Sequence, residues 1–171
     1  MRATVLVFAL AVASASCGSS NNNSPTEAPA VFTATLLPAN ETAAQINGGE
    51  GTGSGTVTIT VTPVRDANNA ITSATARFQV SITGFPATTN FTAAHIHTGV
   101  AGVAGGIVVD TGFASGFVTL VNGAGSWTKE NVTVPVNIAN GLYTNWTGFY
   151  FNVHTTANGG GVARGQLTKT N

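Results

Sequence analysis

Apolar and polar residues alternate along much of this chain, which is the pattern of strands with one buried face. The alternation is clearest over residues 55–62, where apolar side chains on one face alternate with threonines on the other. A second long alternation runs over residues 71–82, after a cluster of turn-forming residues at 65–69. These two segments are therefore predicted to pair as a β-hairpin.

Shorter segments of the same kind occur on both sides of this hairpin. Strands are predicted at residues 31–37, 91–97, 107–109, 116–121, 126–136, 148–154 and 162–167. No stretch of about 12 residues has a helical period, although residues 138–143 are compatible with one helical turn. Eight or nine antiparallel strands with turns at this spacing predict an all-β fold, a Greek-key β-sandwich.

The first 16 residues have the features of a secretory signal: a basic start, an apolar run and small residues before residue 17. The one cysteine of the chain, Cys17, comes next, as in a bacterial lipoprotein signal whose cysteine carries the lipid. Ordinary cleavage nearby, leaving a free thiol, is the alternative. Residues 17–30 are predicted to be a flexible polar tether, and residues 31–168 one domain. We expect an extracytoplasmic protein, held at the bacterial cell envelope or secreted.

The amino-acid composition excludes several classes of fold and function. The chain has 171 residues, with six basic and six acidic side chains, so that 7% are charged against about 25% in an ordinary soluble domain. No basic face for nucleic acid can be assembled, and a helical bundle would need more charged residues. Because the predicted domain holds no cysteine, disulfides and thiolate metal sites are excluded. Contact with a membrane is expected only through a lipid on Cys17.

All three histidines fall within two of the predicted strands. His95 and His97 share one face of their strand because they are two residues apart, and Ile96 lies on the other face. His154 likewise lies opposite Phe151 and Val153. If the apolar faces form the core, the imidazoles meet on the outer face. Three imidazoles suit copper or zinc; the alternative is that they bond to loop backbone and hold the glycine-rich segments in place.

The chain has no recognisable catalytic set, so an enzyme is not favoured. Gly-x-Ser-x-Gly is absent, and the six acidic residues are scattered mostly in loops. Asp110 is the one carboxylate that lies near the histidine segments in sequence. Arg164 is a charge within an otherwise apolar strand, expected either to clamp loop carbonyls or to direct an anion toward the histidines.

Three motifs, in this order, resemble the chordin-type (CHRD) domain family: Ala94-His95-Ile96-His97-Thr98-Gly99, Asn152-Val153-His154-Thr155 and Arg164-Gly165-Gln166-Leu167. The opening strand through Glu41 and the strand at Thr56 resemble the family as well, so the resemblance covers about residues 31–168. It implies a secreted or lipid-anchored microbial protein. The binding of growth factors by extracellular animal members is not carried over to this single-domain chain.

A more distant likeness is to the copper/zinc superoxide dismutases, which share the Greek-key sandwich with immunoglobulin-like domains. The likeness implies that His95, His97 and His154 correspond to copper ligands and Arg164 to an anion-steering arginine. It cannot extend to a complete dismutase site, because this chain has no further histidine and no cysteine pair.

Three hypotheses follow for the function. The favoured one is a non-enzymatic, surface-anchored or secreted module with a binding or structural role. The alternative is a copper or zinc site of the three histidines, with redox activity as an option. Binding of a protein or carbohydrate ligand through loop aromatics is the third; the candidates are Trp127, Tyr143, Trp146 and Tyr150. Convergence of the three imidazole nitrogens on one point would favour the metal, and separate backbone carbonyl partners would favour the structural role.

Overall fold

A computed structural model describes residues 28–171. The predicted signal segment at residues 1–16, Cys17 and most of the predicted tether lie outside this range. Within it, no helix is long and apolar enough to cross a membrane.

The described chain forms two antiparallel sheets, which confirms the predicted all-β sandwich. The first sheet has the order β6-β3-β2-β1-β9, and its strands are β1 (Ala30–Leu36), β2 (Ser54–Arg65), β3 (Ile71–Thr83), β6 (Gly125–Thr133) and β9 (Thr168–Lys169). The second has the order β5-β4-β7-β8, and its strands are β4 (Phe91–Thr98), β5 (Ile107–Asp110), β7 (Phe149–Thr155) and β8 (Ala163–Gln166).

The core lies between the two sheets, where the alternating apolar residues meet. Phe32, Ile59 and Phe78 of the first sheet are fully buried, as are Ile96 and Phe151 of the second. The rings of Phe78 and Phe151 stack across the interface with their centroids 5.8 Å apart. The hairpin of β2 and β3 forms as predicted, with the exposed or half-buried threonines of β2 on the outer face of the sheet.

Two predicted elements are wrong. Residues 116–121 form no strand: Gly116 has a φ of +81°, and the segment makes only one isolated bridge, from Val121 to Ala124. The strand predicted to reach Val136 ends at Thr133, and helix α1 (Val136–Thr144) follows. Pro135 has no N–H to donate to a neighbouring strand, and its fixed φ is suited to a helix start. The helix buries Ala139 and Leu142, which are three residues apart and share one face.

The two sheets differ in how their outer faces are covered. Every residue of β7 is buried, so this strand has no solvent face, although a sandwich strand ordinarily alternates buried and exposed positions. Loop segments cover the outer face of the second sheet, namely residues 38–41, 99–106 and 156–161, which all bond to its side chains. The histidines, Asn152 and Arg164 on that face are consequently enclosed by protein, whereas Asp110 on the edge strand β5 is exposed.

Candidate metal centre

A row of polar residues crosses the outer face of the second sheet. Strand register pairs Asp110 of β5 with His95 of β4, His95 with Asn152 of β7, and Asn152 with Arg164 of β8. His154 lies two residues beyond Asn152 on β7, on the same face, and pairs with Ala93 of β4. Four neighbouring strands thus bring together side chains that are up to 69 residues apart, Arg164 being the last.

The three histidines lie together and are nearly enclosed. His95, His97 and His154 are exposed by only 8%, 7% and 7%, and one nitrogen from each forms a group with no separation above 4.8 Å. Nδ1 of His95 lies 3.1 Å from Nε2 of His154. Three atoms at such separations all lie within about 2.8 Å of one point, so that small inward shifts would bring them to the 2.0–2.1 Å of a zinc–imidazole bond.

The outer nitrogens of the three rings are each next to an oxygen. Nδ1 of His97 donates to the carbonyl of Gly105 and Nδ1 of His154 to that of Gly159, both at 3.0 Å. Nε2 of His95 lies 3.7 Å from an Asp110 carboxylate oxygen, whose negative charge favours a proton on that nitrogen. In metal sites, a ligating histidine ordinarily directs its second nitrogen to a carbonyl or carboxylate in this way.

The inner nitrogens of His97 and His154 are therefore lone pairs, because each ring donates through Nδ1. Nε2 of His97 is buried and has no hydrogen-bond partner, while Nε2 of His154 and Nδ1 of His95 face each other. A neutral imidazole has one donor and one acceptor nitrogen. A ring that donates outward to a loop therefore has only a lone pair to direct into the cluster. The donor set fits a soft or borderline cation, which would accept all three lone pairs; imidazole suits copper and zinc.

Burial favours the neutral form of two of these imidazoles, His95 and His154. It lowers the pKa of His95 to about 4; the neighbouring His154 adds to the shift and Asp110 opposes it. Burial also lowers the pKa of His154, while the hydrogen bond to Gly159 acts in the opposite direction. Only the neutral ring has a lone pair for a metal, so this burial favours the form of His95 and His154 that could bind one.

Arg164 lies on the same face and bonds to two covering loops. Its Nε donates to the carbonyl of Asn40 at 2.6 Å and its Nη1 to that of Val103 at 3.1 Å. The guanidinium carbon lies 4.5 Å from the centre of the Tyr150 ring, whose other face stacks on His97 at 5.0 Å. Arg164 is 3% exposed and so is enclosed between two loops and the sheet.

Gln166 and Tyr150 attach the glycine-rich loop at the other end of the site. Nε2 of Gln166 is within hydrogen-bond distance of three carbonyls, those of Gly99, Thr147 and Phe149. The hydroxyl of Tyr150 accepts from the N–H of Gly105, the residue whose carbonyl receives His97. A Cβ on Gly105 would lie 1.8 Å from the carbonyl oxygen of Thr98, so this close approach requires glycine.

Sequence reasoning missed two buried carboxylates. Glu41 has a 4% exposed side chain, with one oxygen 4.0 Å from Nε of Arg164. Glu50 accepts hydrogen bonds from the hydroxyl of Thr155 at 2.6 Å and the amide of Asn158 at 2.7 Å. Both residues precede β2 in polar or glycine-rich sequence that resembles an ordinary loop. Their scarcity was the one available signal, since the chain has only six acidic residues.

The aromatic residues proposed for ligand binding do not share one exposed surface. Trp127 is 7% exposed and packs on Phe91 and Phe113 in the core, and Tyr150 is 3% exposed beneath Arg164. Tyr143 and Trp146 are half-buried, and Tyr143 donates to the carbonyl of Val61.

Fold and site together define a two-sheet β-sandwich with a histidine-rich, loop-covered outer face. The family model of the CHRD domain matches residues 32–167, so the chain belongs to the CHRD domain family. The three histidines, Asn152, Arg164 and Gln166 all lie within that match. No curated protein and no solved structure matches the chain.

Proposed function

We propose that this CHRD-domain protein binds one copper or zinc ion through His95, His97 and His154. The observation that carries the proposal is the convergence of three inward nitrogens whose outward partners are two carbonyls and a carboxylate. A bound ion would supply a positive charge among three lone pairs and, if it is copper, a one-electron redox couple.

Metal titration of the full chain without an affinity tag tests this proposal. The wild-type protein, freed of metal with a chelator, is titrated separately with copper(II) and zinc, and bound metal is measured after desalting. We expect one equivalent for the wild type. His154→Ala should remove that binding because a two-histidine remnant cannot hold the ion. Gln79→Ala, at an exposed position of β3, is the matched control and should retain it.

Binding weaker than roughly millimolar, which corresponds to about 4 kcal/mol, would overturn the metal proposal. Retention of a full equivalent by His154→Ala would also overturn it, because the ion would then lie elsewhere.

A structural or binding module without metal is the second candidate, and a specific observation favours it. Arg164, Gln166 and the outer histidine nitrogens all bond to loop backbone, which is what a loop-fixing role requires. Under this candidate, His154→Ala lowers the free energy of unfolding equally with and without added metal. Under the metal proposal, the loss is larger with metal present.

We also propose that the protein is extracytoplasmic and lipid-anchored at Cys17. The support is the signal-like segment before Cys17 and the polar segment after it. Expression in a bacterial host should place the wild type in the membrane fraction, with metabolic labelling by a fatty acid. Cys17→Ser should abolish the label and release the protein from that fraction. A label that persists in the variant would contradict the anchor.

A further inference from the structure

Asn152 lies at the centre of the polar row and is almost completely enclosed. It is 1% exposed, and its register partners are His95 on one side and Arg164 on the other. Its amide oxygen lies 2.9 Å from Nε2 of His154. Nδ1 of His95 lies 3.1 Å from the same His154 nitrogen.

The contact between Asn152 and His154 brings two acceptors together. Since Nδ1 of His154 donates to Gly159, Nε2 is a lone pair, and the amide oxygen beside it also carries lone pairs. The other neutral tautomer only moves the conflict, because it would direct a lone pair of Nδ1 at the Gly159 carbonyl oxygen. A cation bonded to both the nitrogen and the oxygen would satisfy both atoms.

Rotation of the amide would remove this conflict, but Glu41 opposes it. The amide nitrogen of Asn152 and an oxygen of Glu41 meet over Gly161, where each would lie 2.7 Å from an added Cβ. When Glu41 is ionised, a rotated amide would place its oxygen against that carboxylate instead.

We propose that the amide oxygen of Asn152 is the fourth ligand of the bound ion and closes its coordination sphere. This inference rests on the proposed metal function. Ligand bonds of about 2.0–2.1 Å place tetrahedral ligand atoms about 3.3 Å apart. The separations of 2.9 and 3.1 Å about His154 Nε2 agree with adjacent corners of such a site.

Closure of the site determines what kind of metal centre this is. Catalytic zinc sites keep a position open for water or substrate, whereas structural sites have four protein ligands. With Asn152 in the fourth position, the ion is held by protein atoms alone. The centre then serves to hold metal or to stabilise the fold, in accord with a module that is not an enzyme.

Azide, a small anion that binds to open positions on copper(II), provides the test. The full chain is loaded with one equivalent of copper(II), and its electron paramagnetic resonance spectrum is recorded before and after azide is added. We expect no change in the wild type. Asn152→Ala should show an azide-dependent spectrum and bind copper about 10-fold more weakly or worse. Asn152→Asp, which keeps an oxygen at this position, should exclude azide as the wild type does.

A wild-type spectrum that changes with azide would overturn the inference, because the position would be open. An Asn152→Ala spectrum identical to that of the wild type would overturn it as well. If Asn152→Ala fails to fold, the azide response of the wild type and of Asn152→Asp still decides. Absence of both copper and zinc binding by the wild type is a different result, which refutes the metal function itself.

Discussion

Gly161 is the residue on which the Asn152 and Glu41 side chains meet. Its φ of +126° is rarely adopted by residues with a side chain, and a Cβ there would lie 2.7 Å from Asn152 Nδ2 and from Glu41 Oε1. We predict that Gly161→Ala lowers the free energy of unfolding by about 1–3 kcal/mol, the usual cost of a strained backbone position. Urea denaturation measures the difference.

Gly160 is a neighbouring control for this substitution. It is exposed, and a Cβ there would meet no atom within 4 Å. Gly160→Ala should change stability by no more than about 0.5 kcal/mol, as is typical of surface substitutions. Equal losses of unfolding free energy in the two variants would show that the contact of Asn152 and Glu41 over Gly161 does not affect stability.

Glu41 should make the stability of the metal-free protein depend on pH. Burial raises the pKa of its carboxyl from 4.5 to about 7, although Arg164 opposes the shift. A raised acid pKa means that the folded state holds the proton more tightly than the unfolded state. Its stabilising contribution is full below pH 4.5 and is lost as the pH rises toward 7.

Glu41→Gln removes this titration and keeps the size of the side chain. Between pH 4.5 and pH 7, the unfolding free energy of the variant should therefore rise relative to that of the wild type, by on the order of 1–3 kcal/mol. Thermal or urea unfolding at several pH values, with a chelator present, measures the difference. Parallel pH profiles of the two proteins would contradict the assignment.

Imidazole chemistry explains why the two sequence-based interpretations of the histidines do not exclude each other. His97 and His154 each bond a separate backbone carbonyl through Nδ1, and both also direct Nε2 into the common cluster. Period-two alternation predicted which residues share a face. It could not predict the carbonyl partners, because Gly105 and Gly159 belong to loops whose paths depend on tertiary contacts.

At the scale of elements, Glu50 connects two segments that are far apart in sequence. It belongs to the short helix Glu50–Thr52 and bonds Thr155 and Asn158, in the turn that leads to Gly159. We predict that Glu50→Ala destabilises the protein by about 1–3 kcal/mol, because two buried donors lose their partner. Backbone amides of residues 156–161 should then exchange with solvent faster, as measured by hydrogen exchange.

Glu130→Ala is the matched control for Glu50→Ala. Glu130 pairs with Arg77 at 2.6 Å, but both side chains are about half exposed, so the pair contributes little. Its loss should leave exchange at residues 156–161 unchanged. Faster exchange there in Glu130→Ala would mean that the effect is not specific to the Glu50 contacts.

The helices and strands could be predicted from the sequence where the alternation of apolar and polar residues alone determined the element. Strand β3 alternates strictly from Ala74 onward, so its buried face, and its bounds to within one residue, followed from the sequence. The sequence predicts only a single turn in place of helix α1, because Gly141 and β-branched residues weaken helical propensity. In the fold, burial of Leu142 and Ala139 offsets that weakness. Residues 116–121 have strand-like composition, but a strand also needs a neighbour, and pairing is not visible locally.

At the scale of the whole molecule, the loops that cover the second sheet are the reason why the site could be predicted only in part from the sequence. Alternation indicated that the faces of β4 and β7 opposite the core carry polar residues, and in a simple sandwich such a face meets water. Here loops bound to Arg164 and Gln166 cover it. Coverage buries histidines that would otherwise meet water, and it depends on contacts between residues as far apart as 40 and 164.

Metal binding should therefore stabilise the entire domain rather than one loop. The ligands lie on β4 and β7, the two central strands of the second sheet, and an ion that binds only the folded state stabilises it by mass action. At 100 times the dissociation constant, the gain is about 2.7 kcal/mol. Calorimetry of the full chain should show Tm rising by several degrees with added metal, and not rising in His154→Ala. A rise that persists in the variant would place the ion outside the histidine cluster.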